Sequence, residues 1–397
     1  MPDSNGKRHA VILSGGGARG AYEVGVLKGL FAGHSRATDY SPLIPDVFAG
    51  TSIGAYNAAL LVAEIDTRGP DAIDYLEHIW LDCLPQDDDT GHNFIVRYRA
   101  DPFEYFDPAV AFKNPLQNSL RVADDLAFLA QDFFNRGSLF FQSSDDIETR
   151  ALKLFDLSIL VSNDPQRRLI EETINFDSIC RSSKALKIAT TNWSTGQLRI
   201  FDNEELDTEQ GPKAILASAA LPGIFPQVEI EGEYYADGGV VMNTPLSLGI
   251  DAGADILHVI YLDPDVKAIP LLPVRNAVDT FSRLFAIQFA ATVNRDIAVA
   301  KQINEGLDVI EKVAGGSSVS GKDVRAFILV AKRLYKIRDY SKYKKITIHR
   351  YQPRDTLRGV LGLLNFSRNE SITLIQQGID DAISHNCKTN ECILAGA

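Results

Sequence analysis

Gly50-Thr51-Ser52-Ile53-Gly54 constrains this chain more than any other stretch, because it sets a serine between two glycines where a short strand gives way to a helix. Pro45 to Ala49 reads as the strand, and Ala55 to Leu61 as the start of an alanine-rich helix. A serine on so tight a turn is pushed out of a sheet with its hydroxyl exposed, and flanking glycines remove the Cβ atoms that would clash in the strained backbone. The pattern predicts a nucleophile elbow.

A second glycine run, Ser14-Gly15-Gly16-Gly17-Ala18-Arg19-Gly20, follows the apolar strand Ala10 to Leu13 and opens a helix from Ala21 to Phe31. Successive backbone N–H groups at the head of a helix form a concavity that suits a phosphate or a transient oxyanion. Gly15, Gly17 and Gly20 also satisfy the dinucleotide fingerprint G-x-G-x-x-G. That fingerprint needs an acidic residue closing the second strand, whereas here the second strand closes on the serine elbow, which favours an oxyanion loop. Further along, Tyr234-Tyr235-Ala236-Asp237-Gly238-Gly239 places a carboxylate at the end of a strand before a glycine turn. A serine hydroxyl is a poor nucleophile until a neighbouring base takes its proton, and such a carboxylate can serve.

Taken in order, GGGARG, GTSIG and ADGG resemble the patatin-like phospholipases, whose pattern is a GGGxRG oxyanion loop, a GxSxG elbow and a downstream DGG or DGA. The segment Ala217 to Pro226 is also similar to the family's proline-containing stretch ahead of the aspartate. The resemblance covers roughly residues 9 to 265. It implies a three-layer α/β/α sandwich with a mostly parallel central sheet. It also implies Ser52 as nucleophile, Asp237 as its partner, and Gly15, Gly16 and Gly17 with Arg19 as the oxyanion region. Gly20, Gly50, Gly54, Gly238 and Gly239 complete the motifs. The activity implied is hydrolysis of fatty acyl esters of phospholipids or related lipids through an acyl-enzyme, with no metal and no organic cofactor. Two rivals are a catalytically silent lipid-binding or scaffold protein of the same fold, and a Ser-His-Asp esterase using His258, His349 or His385. None of those histidines sits in a recognisable motif, and in the α/β-hydrolase fold the elbow comes much later than residue 52.

The remaining sequence sets the surroundings. A net charge of −12 over 397 residues argues against nucleic acid as the main partner, because that binding relies on Lys and Arg neutralising phosphates. No apolar run approaches the length of a membrane span, and the polar first nine residues lead into no signal-type stretch. A cytoplasmic or peripheral-membrane protein is expected, and export by a route that reads no N-terminal signal is compatible with this. Cys83, Cys180, Cys387 and Cys392 show no paired metal-ligand spacing and read as free thiols, with a local Cys387–Cys392 bridge as the alternative.

Three regions follow: a catalytic domain over 9–265, a helical insertion over about 85–183, and a mainly helical C-terminal extension over 266–397. The insertion, with helices expected over Pro115–Arg136 and Ile147–Leu160, is a candidate lid or pocket wall, or a layer covering one sheet face. Within the extension, residues 325–358 carry eleven Lys or Arg against two acids, interleaved with tyrosines. Such a segment suits peripheral contact with an anionic membrane, or else a solvated face offsetting acidic neighbours.

Overall fold

The computed structural model describes residues 6–85, 97–98, 161–222, 224–262, 287, 294, 297–308, 344–353 and 366–395. The strands are β1 (His9–Leu13), β2 (Val47–Thr51), β3 (Arg97–Tyr98), β4 (Val161–Ser162), β5 (Ala185–Asn192), β6 (Leu198–Asp202), β7 (Val228–Ile230), β8 (Glu233–Asp237), β9 (Ile256–Ile260) and β10 (Thr347–Tyr351). The helices are α1 (Gly20–Phe31), α2 (Ile53–Arg68), α3 (Ala72–His78), α4 (Asp164–Thr173), α5 (Phe176–Arg181), α6 (Gln210–Ser218), α7 (Gly239–Met242), α8 (Leu246–Asp251) and α9 (Arg368–Ile383).

Eight strands form one sheet in the order β10-β9-β1-β2-β5-β8-β7, with β6 on β5 as a branch. The five strands from β10 to β5 are parallel, and β6, β7 and β8 run antiparallel to their neighbours. Parallel strands covered on both faces should be apolar throughout, and β1 and β2 are buried at every position. Alternation then sorts their side chains to two cores. Val11, Leu13 and Phe48 face one core with α1, α2 and α9, while Ala10, Ile12 and Ala49 face a second with α8 and Ala300. The result is a mixed α/β fold with a mostly parallel sheet between helical layers.

α1 and α9 lie so close that a Cβ at Gly25 would stand 2.0 Å from the Ile375 carbonyl oxygen, and one at Gly378 2.3 Å from that of Tyr22. Tyr22 adds a hydroxyl bond to Asp381 at 2.8 Å. Beneath the glycine loop, Asn57 of α2 donates to Glu23 Oε2 at 2.9 Å and accepts from Trp80 Nε1 at 2.9 Å. Burial pushes the Glu23 carboxyl well above the usual range, and its bond to Asn57 links the two helices.

Asp237 ends β8 and Gly239 opens α7, while upstream Glu231 and Gly232 join β7 to β8 as a hairpin in left-handed backbone. The C-terminal extension also contributes to the sheet, since its residues 347–351 form β10, parallel to β9. Within the basic segment, Lys344 pairs with Asp255 at 2.6 Å, Lys345 with Asp308, and Arg350 with Glu391 at 3.2 Å. Its other basic residues, and the helices expected over 115–136 and 147–160, lie outside the described residues. No helix among the described residues is long and apolar enough to cross a membrane.

Candidate active site

Strand β5 brings the serine and the aspartate together. On one edge it pairs with β6 over Lys187–Thr191. Its other edge is shared: β2 occupies Ala185–Ala189, ending with Thr51 opposite Ala189, and β8 takes over with Asp237 opposite Thr190. Two strands of opposite direction thus end head to head on neighbouring residues of one edge, so the side chains at their tips must meet.

Ser52 follows Thr51 directly and has φ 56 and ψ −124, a left-handed backbone that a serine rarely adopts. Such strain persists only where the surroundings enforce it. Here the turn is squeezed from below: a Cβ on Gly54 would lie 2.6 Å from the Leu13 carbonyl oxygen. It is also held from the side, because Ser218 Oγ accepts the Ser52 N–H at 2.9 Å and donates to the Ala189 carbonyl at 2.7 Å.

The Asp237 carboxylate accepts the Gly239 N–H at 2.7 Å, and the Ser52 side chain lies near enough to favour its ionised form. The carboxylate is buried, and desolvation pushes it up to about 7 against the pull of those two groups. A carboxyl poised there exchanges a proton easily at neutral pH.

The glycine loop arrives from the other side. Gly15 N–H donates to the Asn243 carbonyl at 3.1 Å, and the Asn243 side chain donates back to the Gly15 carbonyl at 3.3 Å. A side chain at Gly15 would collide with Asn243 Oδ1 at 2.4 Å and approach Ser52 Cβ at 3.1 Å. The Gly15 amide is therefore engaged with Asn243. Arg19 closes the short 3-10 turn after Gly17 and does not line the cavity described next.

Gly15, Gly16, Gly17, Ser52, Asp237 and Asn243 line one cavity of about 120 Å³. Its other walls are apolar, among them Leu169 and Ile170 of α4, Ile215 and Leu216 of α6, Phe225, and Phe366 just before α9. Gln166 of α4 is the polar exception. The Tyr56 hydroxyl bonds Thr173 Oγ1 at 2.9 Å and ties α4 to the elbow helix. The tail of the expected insertion thus supplies a wall of the cavity.

The histidines proposed for a triad lie elsewhere. His258 is two strands from β2 and His349 three, both level with Phe48 and four residues short of Ser52. Strand spacing and rise put their backbones on the order of 15–20 Å from the serine. His385 packs on Tyr351 and His349 instead. Burial pulls His349 and His385 down to about 4 and His258 well below its usual value.

Ser218 and Asn243 were not singled out from the sequence, where each is a polar residue inside an otherwise largely apolar stretch.

The family model described as Patatin-like phospholipase matches residues 11–250. The uncharacterized protein R571 of Acanthamoeba polyphaga mimivirus is 28% identical over 125 residues, 32% of this chain and 42% of that protein. Among solved structures, VipD from Legionella pneumophila aligns with 95% of this chain and 66% of its own, at 15% identity and a TM-score of 0.37. The matches thus span under half of the first relative and about two thirds of the second.

Proposed function

The chain belongs to the patatin-like phospholipase family, and from that premise we propose that it is a serine acyl hydrolase cleaving fatty acyl esters of phospholipids or related lipids through Ser52 and Asp237. The observation that carries the reading is Ser52, on a strained turn, beside the buried Asp237 carboxylate at the polar end of an otherwise apolar cavity.

In the proposed cycle, ionised Asp237 takes the Ser52 proton as Oγ attacks the ester carbonyl. The tetrahedral oxyanion is met by the Gly16 and Gly17 amides, which have no hydrogen-bond partner among the described residues. The positive end of α2, which starts at Ile53, favours the same charge. Protonated Asp237 then gives its proton to the leaving alcohol, and the acyl group remains on Ser52. Water enters, loses a proton to Asp237, attacks the acyl carbonyl, and releases the fatty acid as the proton returns to Ser52. An aliphatic chain can lie along Leu169, Ile170, Ile215 and Leu216. No step needs a metal or an organic cofactor.

Access to substrate calls for a lipid surface. Docking on anionic lipid is proposed for members of the basic segment outside the described residues, since Lys344, Lys345 and Arg350 are ion-paired. The deciding experiment is incubation of the full chain with a membrane lipid extract, followed by lipidomics and fluorophosphonate labelling mapped by peptide mass. Release of free fatty acid, with label on Ser52, is expected. Unchanged lipids and an unlabelled serine would leave a binding protein of the same fold.

A further inference from the structure

We propose that His349, His385, Cys387 and Cys392 form a structural zinc site that staples the C-terminal segment to β10. The sequence reading expected free thiols and no metal there. Each of the four side chains offers one ligand atom, and the four atoms all lie within 4.8 Å of one another. Cys387 Sγ is 3.5 Å from His349 Nδ1 and 3.6 Å from His385 Nε2, and Cys392 Sγ is 3.5 Å from His385 Nε2. A tetrahedral zinc ion bonded to sulfur at 2.3 Å and to nitrogen at 2.0–2.1 Å requires sulfur–nitrogen edges of about 3.6 Å. All three separations meet that requirement, and two sulfurs with two nitrogens form the donor set of closed zinc centres.

Hydrogen bonding alone does not account for the cluster. A thiol has one proton and a neutral imidazole one lone pair. His385 Nε2 carries either one proton or one lone pair, so in either tautomer it makes one full hydrogen bond and its contact with the second sulfur is left unserved. One divalent cation satisfies all four atoms at once. Two thiolates balance its charge, and the two thiol protons leave to solvent on binding.

The surroundings hold the ligands in place. The Arg350 backbone N–H points at Cys392 Sγ at 3.4 Å, a contact that favours a thiolate. Ile393 pairs with Ile348 in both directions, at 2.7 and 3.0 Å, and Asn390 Nδ2 donates to the Arg350 carbonyl at 3.1 Å. Asn386 Oδ1 takes the Lys388 N–H at 2.9 Å and shapes the turn between the cysteines. His349 comes from β10, the edge of the sheet, while the other three ligands follow α9. The ion would therefore join the edge strand to the helix that packs on α1. With four protein ligands no position is open for substrate, so the role is stability rather than chemistry.

The test uses the full chain purified under reducing conditions with zinc present. Elemental analysis should find close to one zinc per chain. Chelator-stripped protein given cobalt should show the visible bands of a tetrahedral ion with thiolate charge transfer. Cys387→Ser with Cys392→Ser should lose both signals, whereas Cys83→Ser with Cys180→Ser should keep them. In case the first pair fails to fold, thiol modification of the parent decides: zinc should protect Cys387 and Cys392, and chelator should release them. Modification of all four thiols regardless of zinc, zinc retained by the Cys387/Cys392 double variant, or a Cys387–Cys392 disulfide in the reduced preparation would overturn the site.

Discussion

Ser218 holds Ser52 by its backbone: the Ser218 hydroxyl accepts the Ser52 N–H and donates to Ala189, joining the elbow to the strand that also positions Asp237. Ser218 is fully buried, so its removal leaves an amide and a carbonyl without partners. Ser218→Ala should lower stability by about 1–3 kcal/mol. Because the strained serine would drift, kcat should fall roughly 10–100-fold with KM little changed, a displacement effect rather than a loss of chemistry. Denaturant melts and ester kinetics on one preparation check both. Unchanged kcat in a destabilised variant would make Ser218 a packing residue only.

The pH profile follows from Asp237. As the base for Ser52 it must be ionised, and burial has raised it to about 7. The kcat/KM for a soluble short-chain ester should therefore climb with pH through about 7 and level off above it. A profile already flat from pH 5 to 8 would mean that another group takes the serine proton.

Much of this site was legible because each motif is a local backbone demand. The elbow needs glycine at 54, where a Cβ would meet Leu13, and a positive φ at Ser52; short-range sequence records such demands directly. The parallel core was legible too, since Ala10–Leu13 and Val47–Ala49 are uniformly apolar. What escaped were pairings between distant residues. The edge strand β10 sits inside a stretch whose lysines and arginines masked Ile348 and Tyr351, which face opposite cores. Ser218 and the Cys387–His349 contact depend on chain segments that only the sheet brings together. Nothing local reveals, likewise, that the Gly15 amide is taken by Asn243, far along the chain.

The squeeze at Gly54 yields its own expectation. In Gly54→Ala the new methyl would stand 2.6 Å from a backbone oxygen that no side-chain rotation can move. The turn must shift, at a cost of about 1–3 kcal/mol or more, and activity should fall with it. A variant with parental melting temperature and parental rate would show that the elbow is looser than these contacts require.

The cavity walls make chain length adjustable. Leu169 of α4 lines the cavity and is only partly buried, so a larger side chain there is tolerable to the fold. Leu169→Phe should shorten the preferred acyl chain, with discrimination of roughly 10-fold or more between long and short esters. A series of esters of increasing length, assayed on parent and variant, measures this. The same length profile in both would place the acyl chain elsewhere.

Replacing the two central residues separates chemistry from stability. Ser52→Ala should abolish hydrolysis and fluorophosphonate labelling, and Asp237→Asn should cut turnover by orders of magnitude, because an amide cannot accept the serine proton. The aspartate change should also alter how stability depends on pH. A carboxyl raised from 3.8 to about 7 on folding keeps a proton in the native state that the unfolded state has already lost. The parent should then lose stability as pH rises from about 4 to about 7, by about 4 kcal/mol at 1.36 kcal/mol per unit. Asp237→Asn has no proton to lose there, so its stability should not show that fall, and relative to the parent it should gain as pH climbs to 8. Denaturant unfolding of both proteins at pH 4 and pH 8 measures the difference. If the gap between them stays constant across that range, Asp237 is not held neutral by burial, and the base of the proposed cycle would already be ionised well below pH 7.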